Sequence, residues 1–170
     1  MKKDNTHMVY GSVTAVAAII IGLVLHFTGL SFESWVQWLV YAVLLTGLIL
    51  NGAAFSKAHD ANVTFGQVFS SCFKAVAIFT LISIAWALIS LMIFPDMMEK
   101  GMEIAQQKME EKQMSEEQIA QAMEWTKKYF RAFMVGGILF GYMFAGAICS
   151  LIAAAITKKN PKAAPPAQMQ

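Results

Sequence analysis

The side chains that could do chemistry in this chain are few, and most of them lie in or beside long apolar runs. Lys74 and His26 are the ionisable residues in such positions. An ionisable group deep in a membrane marks an ion or proton path, whereas one at the headgroups reaches out to water. Lys74 stands at the start of a full-length apolar run, and His26 lies about one turn from the end of another. We therefore expect both at the membrane interface.

The sulfur-containing residues do not predict a metal site. Cys72 and Cys149 lie in apolar runs, with no neighbouring Cys or His at metal-ligand spacing, and we interpret both as small buried residues. Seven methionines fall between Met92 and Met123. Thioethers can bind Cu(I), but the segment has no Met-x-Met pattern and neither His nor Cys. Packing on helix faces is the interpretation that we favour for them.

No catalytic or cofactor-binding residue can be assigned. The sequence offers no Ser/His/Asp arrangement and no glycine loop after a strand pattern, so we predict a protein that is not an enzyme. No Asp or Glu falls inside an apolar run, which counts against a coupled transporter. The polar side chains that we pick out inside the runs are hydroxyls, such as Thr80, Ser83 and Ser90. They fit close helix packing better than a water-lined path.

The composition explains why chemistry is scarce. Charged residues make up 14% of the 170 residues, against about 25% in soluble domains. Six of the 13 Lys/Arg and eight of the 11 Asp/Glu fall within residues 96–131. The rest of the chain has too little charge to cover a soluble surface, so it predicts a membrane protein. The net charge of +2, without a basic run, gives no reason to expect nucleic acid as a partner.

Four apolar runs predict an all-α membrane protein with four transmembrane helices, in a single domain over residues 1–157. The third run has 29 residues and would extend about 43 Å as a helix, too long for a hydrocarbon core of about 30 Å. Phe65, Phe69 and Phe73 share one helix face, so we place residues 62–73 in the interface. The predicted spans are about 9–29, 35–55, 74–94 and 133–156, and the Pro-containing tail 158–170 is predicted to be disordered.

The charged segment 96–131 predicts an extramembrane amphipathic helical hairpin between helices three and four. Pro95-Asp96 breaks and restarts the helix, with Asp96 as the expected N-cap, and Ser115 with Gln118 matches a capping box. The hairpin could stand up from the membrane or lie flat on it. Each arm has an apolar stripe: Met98, Met102, Ala105 and Met109 in the first, and Ile119, Ala122, Met123, Thr126 and Phe130 in the second.

A face of small residues follows the fourth span. Gly137 and Gly141 form a small-xxx-small pair, and Ala145, Cys149 and Ala153 continue it at i+4 spacing. We expect spans three and four to meet through this face, so that Gly141→Leu would cost about 1–3 kcal/mol. The same Gly137/Gly141 face, or the hairpin, could take a protein partner or a second copy of the chain.

The layout resembles a known family. It combines four spans, Phe65-Gly66-Gln67-Val68-Phe69 before the third, Pro95-Asp96 after it, a charged hairpin rich in Met and Gln, and a final stretch from Gly146 to Lys159. Together these resemble the bacterial integral membrane family labelled domain of unknown function 4199, common in the Bacteroidota. The resemblance covers nearly the whole chain and implies an inner-membrane protein. It assigns no activity, and it carries over no functional residues.

The sequence therefore predicts a non-enzymatic membrane protein that is embedded in the lipid bilayer and serves interaction, assembly or sensing. The alternative is an oligomeric permease or channel for small solutes or ions. We expect a multi-pass protein of the bacterial inner membrane with both termini in the cytoplasm, because Lys/Arg residues favour that side. The difference in the number of Lys/Arg residues between the two sides is small, since segment 96–131 has six. Seven lysines lie on the side of the termini: Lys2, Lys3, Lys57, Lys74, Lys158, Lys159 and Lys162.

Overall fold

The computed structural model describes residues 5–161, which form five helices and no strand. The predicted all-α class is confirmed for this part of the chain. The helices are α1 (Thr6–Phe27), α2 (Val36–Ala58), α3 (Phe65–Ile93), α4 (Asp96–Glu111) and α5 (Glu116–Ile156).

Four of these helices, α1, α2, α3 and α5, are long and apolar enough to cross a membrane. α1 illustrates the reason, because an aliphatic row along one of its sides is more than half exposed. Apolar surface of this extent is stable in lipid rather than in water. The four helices therefore indicate a multi-pass membrane protein. The exposed row on α1 is Val9, Val13, Val16, Ile20 and Val24.

The helices divide between two compact units. The first takes the chain up to Ile82 and again from Tyr142 onward, and the second is Ser83–Gly141. The first unit thus contains α1, α2, the start of α3 and the end of α5. The second contains the end of α3, α4 and the start of α5.

One apolar core holds the first unit together. It contains Leu44 and Leu48 from α2, Val76 and Phe79 from α3, and Ala153 from α5, all with 2% exposure or less. Burying side chains of this size contributes about 1.5–3 kcal/mol each. The core therefore fixes the ends of α3 and α5 that belong to this unit against α2.

Glycines bring backbones close together at the edges of this core. A Cβ built on Gly11 of α1 would lie 2.7 Å from the Ala75 carbonyl oxygen of α3. A Cβ built on Gly146 of α5 would overlap the Val76 side chain of α3. Only a residue without a side chain allows these approaches, as small residues commonly do between membrane helices.

Spans three and four meet through the predicted small-residue face, but the prediction that Gly141 lies in this contact is wrong, and Gly137 does not lie in it either. No described atom beyond the adjoining residues and the helix backbone lies within 4 Å of a Cβ built on either glycine. The part of the small-residue face that does pack lies later on α5, where Gly146 and Cys149 are buried. Spacing identifies a face that can pack closely, but it does not show which stretch of it has a neighbour.

The structure shows no break at Lys74, the predicted start of the third span. The helix is continuous from Phe65 to Ile93, so the stretch predicted at the interface runs directly into the predicted span, and its depth in the membrane stays a prediction. Val68 and Cys72 are fully buried in the core of the first unit. On the predicted apolar face, Phe65 is exposed, and Phe69 and Phe73 are partly buried, so periodicity alone could not show which side chains pack on other helices. Lys74 itself is exposed.

The turn between α4 and α5 follows the prediction closely. The Ser115 backbone N–H donates to Gln118 Oε1 at 3.1 Å, and the Gln118 N–H donates to Ser115 Oγ at 3.3 Å. These two bonds are the predicted capping box, which satisfies N–H groups at the start of a helix. Gln113 takes a left-handed conformation with φ of 55° and ends the preceding helix turn.

The start of α4 differs by one residue from the prediction. Pro95 is the N-cap, and Asp96 is the first helical residue, with no side-chain cap bond. Proline fixes φ near the helical value, so the helix begins one residue earlier than an N-cap at Asp96 would predict. The Asp96 carboxylate instead lies 3.9 Å from the Lys100 ammonium.

The two predicted apolar stripes are the partly buried sides of α4 and the start of α5. The Phe130 ring lies 3.5 Å from a Cβ built on Gly101, so the two helices approach each other there. No residue of α4 is fully buried. α5 extends from Glu116 to Ile156, and a kink at Tyr129, whose φ and ψ are not helical, interrupts it.

The residues just after α5 are hydrogen-bonded to the end of α2 and to the loop that follows α2. Ser56 Oγ donates to the Lys158 carbonyl at 2.6 Å, and the Asn160 N–H donates to the Ala61 carbonyl at 2.7 Å. Of the tail predicted to be disordered, residues 162–170 lie outside the described residues. Lys2 and Lys3 lie outside them as well.

Candidate functional site

A polar cleft lies at the end of the first unit where α1 and α3 begin and α2 ends. Its volume is about 430 Å³, and Phe55 of α2 forms an apolar part of its wall. The polar residues that line it come from α1, α3 and the turn before α3. They are His7, Thr64, Gln67, Ser70, Ser71 and Lys74.

One face of α3 supplies most of this lining. Gln67, Ser70 or Ser71, and Lys74 follow one another at i, i+3 or i+4, and i+7, which places them on one side of a helix. Another side of the same turns carries Phe65, Phe69 and Phe73, whose rings stack at centroid distances of 6.5 and 5.8 Å. The first turns of α3 are therefore amphipathic, and the polar side faces the cleft.

A capping box fixes the beginning of α3 at the cleft. The Thr64 N–H donates to Gln67 Oε1 at 2.8 Å, and the Gln67 N–H donates to Thr64 Oγ1 at 3.3 Å. Both side chains act as acceptors in these bonds. The Gln67 amide NH₂ and the Thr64 hydroxyl hydrogen remain as donors for a bound group.

His7 reaches the same cleft from α1. One turn later on α1, Gly11 lies against the backbone of Ala75, next to Lys74 in sequence. Because α1 and α3 both begin at this end, the preceding turn of α1 brings His7 alongside the start of α3. The close approach at Gly11 thus places an imidazole and an ammonium group in one cleft.

A buried amide lies behind the cleft wall. Asn51 of α2 is fully buried, and its Nδ2 donates to Ser71 Oγ at 3.2 Å and to Cys72 Sγ at 3.5 Å. Its Oδ1 has no hydrogen-bond partner among the described residues. An unsatisfied buried acceptor costs about 1–3 kcal/mol. Ser71 also lines the cleft, so the buried amide is connected to the cleft through the Ser71 hydroxyl.

Two further hydroxyls, on fully buried side chains of the first unit, share this condition. Thr80 Oγ1 on α3 and Ser150 Oγ on α5 are buried and have no hydrogen-bond partner among residues 5–161. Both side chains are 1% exposed or less. The interior of the unit therefore contains polar atoms that its own side chains do not satisfy.

The arrangement suits an anion better than a metal ion. The described chain has no group of three or more His, Cys, Asp or Glu that could hold a metal. Cys72 and Cys149 are unpaired and buried, as predicted. The described lining of the polar cleft has two basic residues and several hydrogen-bond donors but no carboxylate. Such a lining stabilises negative charge.

Of the two ionisable residues singled out from the sequence, Lys74 lies in the polar cleft and His26 does not. Lys74 is exposed, and it lies in the polar cleft. His26 lies in the last turn of α1, at the opposite end of that helix from His7, with its ring edge-on to Phe27 at 5.6 Å. Sequence reasoning predicted none of the other cleft residues.

Asn51 was missed, and the statement that the deep polar side chains are hydroxyls is wrong. The available signal was an amide well inside an apolar run, with Gly47 and Gly52 on either side. Those glycines bring α2 close to Thr14 of α1 and to Thr157 after α5. An amide between two close-packing glycines indicates a buried contact, which hydropathy alone does not reveal.

The second unit has a different surface feature. Trp125, Tyr129 and Phe133 on α5 are exposed, and the Lys128 ammonium lies 6.0 Å from the Trp125 ring and 5.4 Å from the Tyr129 ring. Rows of aromatic and basic residues are typical of the boundary between lipid and water. This row therefore fits the interface position that the sequence assigns to the start of the fourth span.

Comparison with known proteins gives a family but no function. No curated protein and no solved structure is significantly similar to this chain. The model of the family described as "Protein of unknown function (DUF4199)" matches residues 9–159, from the first predicted span to the end of the last helix. The resemblance seen in the sequence is thus confirmed, and the chain belongs to the DUF4199 family.

Proposed function

We propose that this protein is a non-enzymatic protein of the bacterial inner membrane that works by self-association, with a second copy packing on the Gly137/Gly141 face of α5. The observation that carries the proposal is the empty space at these two glycines. Neither has a neighbour within 4 Å, whereas Gly11 and Gly146 each lie against another helix of the chain.

The surroundings of this face suit a symmetric contact. Phe133 and Phe140 lie on the same side of α5 as Gly137 and Gly141, and they are 60% and 76% exposed. A small-xxx-small pair lets two helices approach closely, and an aromatic side chain beside it can enter the groove of the other copy. Two copies related by a two-fold axis would make this contact twice.

The segment between the candidate spans fits an assembly role. We propose that α4 and the start of α5 form the extramembrane hairpin over residues 96–131. Support comes from the capping box at Ser115, the contact between Phe130 and Gly101, and the partial burial of both apolar stripes. Because α4 has no fully buried residue, a second copy or the membrane surface would complete its packing.

Association of the purified full-length protein tests this proposal. In detergent and in nanodiscs, we expect a dimer or higher oligomer by light scattering and native mass spectrometry. Gly141→Leu should shift the protein to monomer, because the added side chain fills the groove. Gly22→Leu is the matched control, since Gly22 is exposed on α1 and a Cβ there meets nothing within 4 Å. A monomeric wild type, or a Gly141→Leu protein that still associates, would contradict the proposal.

A second candidate function, an oligomeric channel or permease for small solutes or ions, has one observation in its favour. Asn51, Thr80 and Ser150 each have a buried polar atom without a partner, and water in a path between helices would satisfy such atoms. Flux of labelled ions and small solutes through reconstituted protein distinguishes the two. Saturable flux that Thr80→Val abolishes would favour the channel.

A further inference from the structure

We propose that the polar cleft binds the phosphate group of an anionic phospholipid from the leaflet at that end of the protein. The inference rests on the placement of the chain as a membrane protein, and it does not depend on self-association. The cleft is large enough for a headgroup at about 430 Å³, and it lies among three helix ends rather than on a flat surface.

The charge and donors of the cleft select an anion. Lys74 provides an exposed ammonium, His7 an imidazole and Ser70 a hydroxyl, and the described lining has no acidic side chain. The phosphodiester of a phospholipid has only acceptor oxygens at neutral pH, so it matches a site made of donors. Basic clefts between membrane helices are the usual sites for anionic headgroups.

The length of α3 places the cleft at headgroup depth. Its 29 residues extend about 43 Å, which exceeds a hydrocarbon core of about 30 Å by about 13 Å. Those 13 Å correspond to the turns from Phe65 to about Lys74, and these are the turns that line the cleft. A lipid phosphate lies at this depth in every leaflet, whereas a soluble phosphate would have to enter from the aqueous phase.

The buried amide behind the wall determines how Ser71 can bind a ligand. The Asn51 Nδ2 donates to Ser71 Oγ in the cleft wall. Because Ser71 accepts this bond, its own hydroxyl hydrogen remains for a phosphate oxygen in the cleft. The buried amide therefore leaves one more donor beside the basic lining.

The test uses the purified full-length protein and three probes: phosphatidylglycerol, phosphatidylcholine and inorganic phosphate. Binding is measured by native mass spectrometry and by the rise in melting temperature on adding each probe. We expect phosphatidylglycerol to bind several-fold more tightly than phosphatidylcholine. Lys74→Gln should weaken phosphatidylglycerol about fivefold, the loss of about 1 kcal/mol expected for one lysine near the surface.

Matched variants separate the cleft from general surface charge. Lys57→Gln removes a lysine at the end of α2, outside the cleft lining, and should leave binding within twofold of wild type. His7→Gln is a second variant inside the cleft and should weaken binding, since it removes a basic side chain on another helix. Lys74 is exposed, so its loss should not prevent folding, and the melting temperature without lipid checks this point.

Three results would overturn the proposal. The first is equal affinity for phosphatidylglycerol and phosphatidylcholine. The second is equal weakening by Lys74→Gln and Lys57→Gln, which would mean attraction by surface charge alone. The third is Lys74-dependent binding of inorganic phosphate as tight as that of the lipid, which would assign the cleft to a soluble phosphate. None of these results bears on the oligomeric state.

Discussion

Asn51 Nδ2 donates a hydrogen bond of 3.2 Å to Ser71 Oγ, and this bond joins the fully buried middle of one helix to the wall of the polar cleft on another. The hydrocarbon core of a membrane contains no water, so without this partner the amide donor would lack a hydrogen bond. The bond therefore ties the register of α2 against α3 to the geometry of the cleft. Replacing either residue should therefore alter both the packing of α2 against α3 and the geometry of the cleft.

The first prediction is a measurable coupling between these two residues. Asn51→Ala and Ser71→Ala should each destabilise the protein, and the double variant should lose less than the sum. The difference should be about 0.6 kcal/mol and at most about 2 kcal/mol, the range for hydrogen bonds between membrane helices. Unfolding by SDS titration in mixed micelles measures it.

Thr46→Ala is the control for this cycle. The Thr46 hydroxyl donates to the Ala42 carbonyl of its own helix at 2.8 Å, so its loss should add independently to that of Asn51. If the losses of stability from Asn51→Ala and Ser71→Ala were also additive, the hydrogen bond between these residues would not contribute to stability.

The second prediction contrasts two glycines on α5. Gly146→Ala should cost about 1–3 kcal/mol, because the new methyl group overlaps Val76. Gly141→Ala meets open space and should be neutral or stabilising by up to about 1 kcal/mol, from the better helix propensity of alanine. Melting temperatures in dilute detergent give the comparison.

A second-site change provides the control for the Gly146 contact. Val76→Ala alone should destabilise the core by leaving a cavity, but it should reduce the cost of Gly146→Ala in the double variant. Strictly additive costs would show that the methyl group does not meet Val76.

Sequence patterns correctly predicted the features that depend only on interactions within one helix or one turn. Ser115 and Gln118 form a capping box through bonds within one turn, and the apolar stripes of segment 96–131 depend on helical periodicity alone. The four long helices likewise follow from apolar length. These features need no knowledge of which helix lies beside which.

The features that the sequence did not predict all depend on neighbours. The polar cleft exists because Gly11 brings α1 against α3, and the importance of Asn51 follows from its facing Ser71. The burial of Val68 near the start of α3 was not predicted for the same reason, since it depends on which helices lie beside α3. A single sequence gives the faces of helices, and the pairing of faces requires the tertiary structure.

The third prediction concerns the capping box of α5. Ser115→Ala removes the acceptor of the Gln118 N–H and should cost about 1 kcal/mol. Because no residue of α4 is fully buried, we expect the loss as local opening rather than global unfolding. Hydrogen exchange at Gln118 should accelerate about fivefold, the equivalent of 1 kcal/mol.

Thr126→Ala is the matched control in the same stretch of helix. The Thr126 hydroxyl donates to the Ala122 carbonyl within the helix at 2.7 Å and caps nothing. Alanine has the higher helix propensity, so exchange in this variant should be unchanged or slower. Unchanged exchange at Gln118 in Ser115→Ala would show that the cap does not hold the first turn of α5.

The last prediction is the orientation in the membrane, for which the structure offers well-placed reporters. The polar-cleft end carries Lys57, Lys74, Lys158 and Lys159, and the loop between α1 and α2 carries only Glu33 as a charged residue. Positive charge in short loops favours the cytoplasm, whereas acidic residues contribute little. We therefore expect the cleft end in the cytoplasm and segment 96–131 outside, although that segment has six Lys/Arg of its own.

Single cysteines at Ala58 and Glu111, in a Cys72→Ser/Cys149→Ala background, would report the two sides. Both positions are exposed, and neither change removes a positive charge that could alter the orientation. An impermeant thiol reagent applied to intact spheroplasts should label Glu111→Cys, and it should label Ala58→Cys only after permeabilisation. The reverse pattern would show that the cleft end faces outward, and labelling of both in intact cells would contradict the single span, α3, between them.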